Sequence, residues 1–375
     1  MPLASLALLG ATLYTFCEQE SKTKPTANSW TSPYLFGQSL TAPATNDGST
    51  RKKLSIHAVR GPRATMEDRW YVSDDLRFFA VYDGHGGHRV AEQAQRCLYD
   101  EFVKQIDEIA NAEPEKAANE DGDVSEKTGT PILSKDDPKV VGEALTKSFD
   151  AVSRKILSTT YLDLEGSTAV VVYMCDNAIV TANLGDSRAI LCRGHKAIPL
   201  TVDHKPDSTK ERKRIEDLGG RVKWHGYLGP DKLPVPGMGA YRINGNLAVS
   251  RALGDRLERP YVSSEPEIAT FPRHPDQDKF IVLASDGLWD VMTSQDVVDF
   301  IKQIMAGSMS AGGQTNSSRQ KSAATTFIPS STGKKGDAIR SEMDKKRDNM
   351  AQFIAEEALR RGSADNITVI VVWLR

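Results

Sequence analysis

Four apolar runs in this 375-residue chain each end on, or begin from, a carboxylate. Phe78-Phe79-Ala80-Val81-Tyr82 leads into Asp83-Gly84-His85-Gly86-Gly87, and Ala178 to Leu184 leads into Gly185-Asp186-Ser187. Phe280 to Ser285 leads into Asp286-Gly287, with Asp290 close behind, and Asp365-Asn366 immediately precedes Ile367 to Trp373. Rich in Val, Ile, Phe and Tyr, these runs read as strands. Any one of the acids has a plain structural explanation, because Asp-Gly is a common turn and Asp a common cap. Together they constrain the fold. Adjacent strands of a sheet bring such ends close to one another, where uncompensated carboxylates repel. A pair of divalent cations resolves the conflict.

The ligand type selects the metal. A carboxylate-rich site in a chain with seven His and no CxxC pair suits Mn²⁺ or Mg²⁺ far better than Zn²⁺ or Cu²⁺. Two such ions about 3.5–4 Å apart lower the pKa of a bridging water toward neutrality and neutralise phosphate oxygens. Phosphate monoesters are so inert that enzymes supply up to about 10²¹-fold acceleration, which calls for a nucleophile and charge stabilisation together. Three neighbours belong near this centre. In Arg63-Ala64-Thr65-Met66-Glu67-Asp68, Arg63 either grips a phosphate bidentately or pairs with a surface carboxylate, while Glu67 and Asp68 hold metal-bound waters. His85 either donates a proton to the leaving alkoxide or orients a water. Gly84 lets its backbone carbonyl approach a cation closely.

Further strands are expected at Leu54–Val59, Thr168–Met174 and Ala189–Arg193, and helices at Arg89–Ile109, Lys139–Leu157, Ser208–Leu218, Ser294–Met305 and Asp348–Arg361, the third closed by Gly219-Gly220. Strands occur in runs as well as beside helices, which argues for α+β layers over a doubly wound parallel sheet. Residues 1–50 read as an extension: an apolar leader over Pro2–Cys17, then a tether rich in Ser, Thr, Pro, Asn and Gly. The leader lacks a basic lead-in and is short of the roughly 20 apolar residues of a membrane span. It is either a mitochondrial or membrane-anchoring signal or a segment that simply precedes the domain. A cytoplasmic protein without stable membrane insertion is the first expectation. A catalytic domain is expected over 51–375, interrupted by polar surface loops near 110–138 and 307–346.

Lys and Arg number 48 against 50 Asp and Glu, a balance that gives no reason to expect a nucleic-acid partner. The four Cys are widely spaced and form no disulfide framework or zinc site, with Cys175 and Cys192 expected as buried core thiols. The basic run Lys210–Arg214 has Glu211 within it and Glu216 beside it, and reads as a solvated helix face rather than a nuclear signal.

Seven strings, in this order, resemble the protein phosphatase 2C family of metal-dependent serine/threonine phosphatases: Arg63–Asp68 (RATMED), Phe79–Gly87 (FAVYDGHGG), Gly166–Val170 (GSTAV), Asn183–Arg188 (NLGDSR), Leu247–Asp255 (LAVSRALGD), Phe280–Met292 (FIVLASDGLWDVM) and Asp365–Val369 (DNITV). The resemblance implies a central antiparallel β-sandwich flanked by helices on both sides, with two Mn²⁺ or Mg²⁺ ions at one edge of the sheets. By motif position it makes Asp83 the residue bridging both ions, the Gly84 carbonyl a ligand of one, and Asp286 and Asp365 ligands of the other. Glu67 and Asp68 contribute directly or through waters, Arg63 binds the phosphate, and His85 is the general acid. Asp186, with Asp286, matches the acids of a weaker third metal, with Asp290 as a possible assistant. The implied partners are phosphoproteins, acted on by a monomer; the alternative is the same chemistry on a small phosphorylated metabolite. Where the family has a short flap, Arg221–Asn246 is long and carries Trp224 and His225, so peptide preference does not carry over.

Overall fold

The computed structural model describes residues 39–40, 54–112, 134–307 and 342–375. Two antiparallel sheets face each other. One has the order β1 (Ser39–Leu40), β2 (Leu54–Val59), β16 (Ile367–Trp373), β15 (Asp278–Ala284), β9 (Arg188–Arg193) and β10 (Lys196–Pro199). The other runs β14 (Glu267–Pro272), β8 (Ala178–Leu184), β7 (Ala169–Met174), β4 (Phe78–Tyr82) and β3 (Arg69–Val72). Between them Phe79 and Val81 of β4, Val170 and Val172 of β7, Ile281 and Leu283 of β15, and Ile370 and Val372 of β16 form one apolar layer.

The alternate residues of the same strands are apolar too, which is unusual for antiparallel strands and has a direct cause. Phe78, Ala80 and Tyr82 face outward onto helices α1 (Arg89–Ala110) and α2 (Pro138–Leu157). Phe280, Val282 and Ala284 face outward onto α5 (Ser294–Met305) and α6 (Met350–Arg360). Strands covered on both sides bury every side chain, and each such Val, Ile, Leu or Phe contributes roughly 1.5–3 kcal/mol. The fold is thus α+β, with antiparallel sheets flanked by helices.

The helices carry their own start signals. Asp137 caps α2 by accepting from the Lys139 N–H at 2.8 Å, with Pro138 in the first turn. Thr293 and Asp296 form a capping box at the start of α5. Helix α1 places Val90, Ala94, Leu98, Phe102, Ile106 and Ile109 on its buried stripe. Helix α3 (Thr209–Asp217) ends at the expected glycine pair, where the Gly220 N–H returns to the Ile215 carbonyl at 2.9 Å. Its basic face is tied down by Lys213–Asp217 and Arg212–Glu216 ion pairs.

Several features differ from expectation. Edge strands β3 and β14 have no counterpart in the sequence reading, because half-buried edges carry Arg, Glu and Thr among their apolar residues. The 221–246 stretch is a two-stranded hairpin, β11 (Val222–Leu228) and β12 (Pro234–Ile243). Its base is anchored by Val222 and Ile243 in a small cluster with Ile215, and Trp224 packs edge-on against Tyr241 at 5.3 Å. Residues 342–348 are helical, so the polar loop ends before 346. Two residues of the expected tether are a strand, Ser39 pairing with His57 and Leu40 with Ile56. The leader and the centres of both inserts lie outside the described residues. Cys175 and Cys192 are buried and free, as expected. Among the described residues no helix is long and apolar enough to cross a membrane.

Candidate metal centre

Strand register collects the acids. In the β15–β16 pair, Ala284 faces Val369 and the Ser285 N–H donates to the Thr368 carbonyl at 3.1 Å, so Asp286 and Asp365 emerge side by side from one end of the sheet. In the same sheet Ala284 also faces Arg188 of β9, which places Asp186 at that end. In the facing sheet, β7 begins between the end of β4 and the end of β8. Ala169 pairs with Leu184 of β8, and the Thr168 N–H donates to the Asp83 carbonyl at 2.9 Å. Asp83 and Asp186 therefore leave their strands at the same end. Thr168 also accepts from the Asp83 N–H (3.2 Å) and touches the Ser187 hydroxyl (2.8 Å), linking the two acidic turns.

The loop carrying Arg63, Glu67 and Asp68 is fastened to this end by Asn366. Its amide donates to the Arg60 and Thr65 carbonyls at 2.8 and 2.9 Å, and its oxygen accepts from the Glu67 N–H at 2.7 Å. Asp68 is buried and accepts from the Ser285 hydroxyl at 2.7 Å. Gly84 is required by this closeness, because a Cβ there would lie 2.7 Å from the Glu67 carbonyl oxygen.

The charges of these groups act on one another. Burial, then the charges of Asp68, Asp286, Asp186 and Asp365, holds the Asp83 carboxyl well above the usual carboxylate range. Burial, then Asp186 and Asp290, does the same to Asp286, against the pull of Lys205. Burial pushes Asp68 up to about 6, with Asp365 adding to it and the Ser285 hydrogen bond opposing. Carboxylates crowded until they resist ionisation are the electrostatic complement of a divalent cation. Oδ1 of Asp68, buried with no hydrogen-bond partner, is an oxygen of the kind such an ion uses. The donor chemistry therefore fits Mn²⁺ or Mg²⁺.

The side chains are turned to protein partners. Asp365 accepts from Arg63 Nη2 at 2.5 Å, Asp186 pairs with Lys205, and Glu67 accepts from the Thr65 hydroxyl at 2.8 Å. Among the described residues no three His, Cys, Asp or Glu side chains converge as a ready ligand set. An ion held by Asp365 would take the place of its Arg63 partner.

His85 lies on the short strand β5 (Gly84–His85), paired with β6 (Gly166–Ser167). Its Nε2 sits 2.9 and 2.8 Å from the two oxygens of buried Asp255. Burial alone would lower the imidazole pKa; Asp255 outweighs it and holds the ring above its ordinary value. Gly166 makes room for this pair, since a Cβ there would collide with both side chains. Asp255 itself sits in the left-handed region at φ 49°, a strained conformation for a non-glycine residue. A small groove against β8, β10 and β14, lined by Asn183, Leu200, Val202, Glu267 and Phe271 among others, contains none of the candidate acids.

The sequence pattern of the family described as Protein phosphatase 2C matches residues 52–325. This chain belongs to the protein phosphatase 2C family. It is 36% identical over 334 residues to Protein phosphatase 2C 16 of Arabidopsis thaliana, covering 86% of this chain and 58% of that protein. It is 37% identical over 306 residues to Probable protein phosphatase 2C 6 of Oryza sativa subsp. japonica, covering 80% and 56%. The chain thus spans little more than half the length of these relatives. A crystal structure of serine-threonine phosphatase 2C from Toxoplasma gondii shares the fold, with a TM-score of 0.58 at 21% identity, covering 90% of this chain and 98% of that one.

In this protein phosphatase 2C chain, four residues that sequence reasoning left without a role stand at the centre: Asp255 behind His85, Lys205 on Asp186, Asn366 under the Arg63 loop, and Ser285 on Asp68. Asp255, Asn366 and Ser285 lie within quoted family strings, but only tertiary contact assigns their tasks. Lys205 follows the β10 strand in a turn and carries no local signal.

Proposed function

We propose that this chain is a metal-dependent phosphatase that hydrolyses phosphoserine and phosphothreonine in proteins, with residues 51–375 as its catalytic domain. The observation supporting this most strongly is the arrival of Asp83, Asp186, Asp286 and Asp365 at one end of both sheets. Asp83, Asp286, Asp365 and the Gly84 carbonyl would hold a pair of Mn²⁺ or Mg²⁺ ions, with Glu67 and Asp68 holding their waters. When bound, such a pair supplies a nucleophilic hydroxide at neutral pH and draws charge from phosphoryl oxygens.

The remaining work falls to the chain's own groups. Arg63 is exposed at the mouth of the site and, once released from Asp365, offers its fork to a phosphate. His85 has Nε2 committed to Asp255, so the proton for the leaving alkoxide would come from Nδ1. The Asp255 carboxylate fixes the ring and stabilises its cationic form.

Purified protein stripped of metal should release phosphate from a phosphothreonine peptide only after Mn²⁺ or Mg²⁺ is returned. Turnover in excess chelator at the same rate would sink the proposal. A peptide left untouched beside rapid hydrolysis of a small phosphorylated metabolite would instead favour the alternative substrate class.

A further inference from the structure

Hairpin β11–β12 carries charge of one sign and almost nothing to balance it. Residues 221–246 hold four Lys and Arg against a single acid, in a chain whose cations and anions are nearly even. That acid, Asp231, is committed locally. Its carboxylate accepts from the Leu233 N–H at 3.0 Å within the tip, where the Gly229 N–H donates to the Leu233 carbonyl at 2.9 Å. Strand register sharpens the imbalance. Val222 faces Ile243 and Trp224 faces Tyr241, so Lys223 and Arg242 stand directly opposite each other, with His225 next along the same face. Like charges so placed destabilise a strand pair. Lys223 is exposed, Arg242 is half-buried and donates to the Asn246 carbonyl at 2.5 Å, and neither makes an ion pair among the described residues.

Toward the tip, apolar side chains are left in water. Tyr227, Leu228, Leu233 and Met238 are four of the eleven large apolar side chains exposed among the described residues, each between 46% and 61% exposed. Scattered singly, such residues need no explanation; gathered on one hairpin beside unbalanced cations, they mark an interaction surface. The foot of the hairpin is joined to the site. Val222 and Ile243 pack with Ala252 and Val262, and the Asn246 amide donates to Glu258 at 2.6 Å. The Glu258 N–H in turn donates to the carbonyl of Asp255, the residue that holds His85. A segment lying along the hairpin is thus anchored to the turn that positions His85.

We propose that hairpin β11–β12 docks an acidic segment of the phosphoprotein substrate, its carboxylates meeting Lys223 and Arg242 and its apolar side chains meeting Leu228, Leu233 and Met238. The inference rests on the protein phosphatase function proposed above and adds the kind of substrate that the chain selects. A nucleic acid is a poorer match, because four cations interleaved with Leu and Met lay no continuous track for phosphates. The hairpin touches no reacting group, so docking acts through KM.

The test compares two phosphothreonine peptides, identical around the phosphothreonine, each joined by Gly-Ser linkers of graded length to a tail. One tail alternates Asp and Leu, the other Ser and Gly. With Mn²⁺ present, the full chain should hydrolyse the Asp-Leu peptide with a kcat/KM at least about tenfold higher, carried by KM. Lys223→Glu combined with Arg242→Glu should abolish that advantage and transfer it to a Lys-Leu tail. Leu233→Ser combined with Met238→Ser serves as the second variant should the first fold poorly, as judged by its melting curve, and should bring the two peptides toward equal rates. Equal wild-type rates at every linker length, or variants that keep the wild-type ratio, would overturn the inference while leaving the phosphatase function standing. Equal rates beside cosedimentation with anionic phospholipid vesicles would overturn it in favour of a membrane surface. Wild type that hydrolyses neither peptide with Mn²⁺ present would overturn both.

Discussion

Two sets of buried carboxylates in this protein have opposite fates. Glu211 on α3 is 1% exposed and is gripped by Arg251 Nη2 at 2.6 Å and Arg214 Nη2 at 3.0 Å. Burial alone would raise its pKa, but Arg251 and then Arg214 bring it down to about 2. Asp68 is 3% exposed, has a hydroxyl for a partner and other acids for neighbours, and is pushed up to about 6. Both side chains are closed off from solvent, and the charge around them sets them apart. A carboxylate given its own Arg is part of the scaffold, whereas carboxylates massed without enough cations are poised to receive them.

The contrast can be broken most sharply at Asp83. Asp83→Asn should lower turnover on a phosphothreonine peptide by about 10³-fold, in the range for loss of a principal charge-stabilising group. Melting in chelator should not fall and should rise, because one of the repelling charges is gone. A variant with wild-type turnover would return Asp83 to the ordinary turn residues. The opposite change is Arg251→Met, which leaves Glu211 with Arg214 alone. It should cost about 3 kcal/mol in a denaturant titration, the penalty for breaking a buried pair, yet the surviving folded enzyme should keep its metal requirement. A loss within about 0.5 kcal/mol, the range of neutral surface substitutions, would deny Glu211 its structural role.

Ligand-linked stability sharpens the same comparison. Mn²⁺ at about a hundred times its dissociation constant should stabilise wild type by roughly 2.7 kcal/mol per site, with a matching rise in melting temperature. Arg251→Met should show the full increment and Asp83→Asn little of it. Equal increments in both variants would mean that the ion binds elsewhere.

The smallest expected effect is in acid. Glu211 has a folded pKa of about 2 against an ordinary 4.5, so the unfolded chain binds the extra proton first. Its stabilisation is fully present above about pH 4.5 and fades as the pH falls toward 2, with roughly 2 kcal/mol of it lost between pH 4.5 and 3. Glu211→Gln should lose that part of the slope between pH 4.5 and 3 in urea midpoints. An unchanged slope would assign the acid sensitivity to other groups.

The parts of the fold that were legible are those buried on both faces. Strands β4, β15 and β16 are continuous apolar runs because helices cover one side and the opposing sheet the other, so burial wrote itself into every position. Edge strands β3 and β14, half-buried, carry Arg, Glu and Thr among their apolar residues and left no such trace. The site divides in the same way. Asp83, Asp286 and Asp365 were visible because an acid against an apolar strand stands out locally. Lys205 and Asp255 meet their partners across 19 and 170 residues of chain, and nothing near them in sequence announces the contact. The hairpin β11–β12 was hidden for another reason: its Tyr227, Leu228 and Met238 are exposed, so no buried face imposes a period.

The most direct test of the central claim is anomalous diffraction from crystals of this protein soaked in Mn²⁺. Two strong peaks between Asp83, Asp286 and Asp365, with Arg63 withdrawn from Asp365, are predicted. Ordered Mn²⁺ bound only away from these strand ends, with the Arg63–Asp365 pair intact, would contradict it.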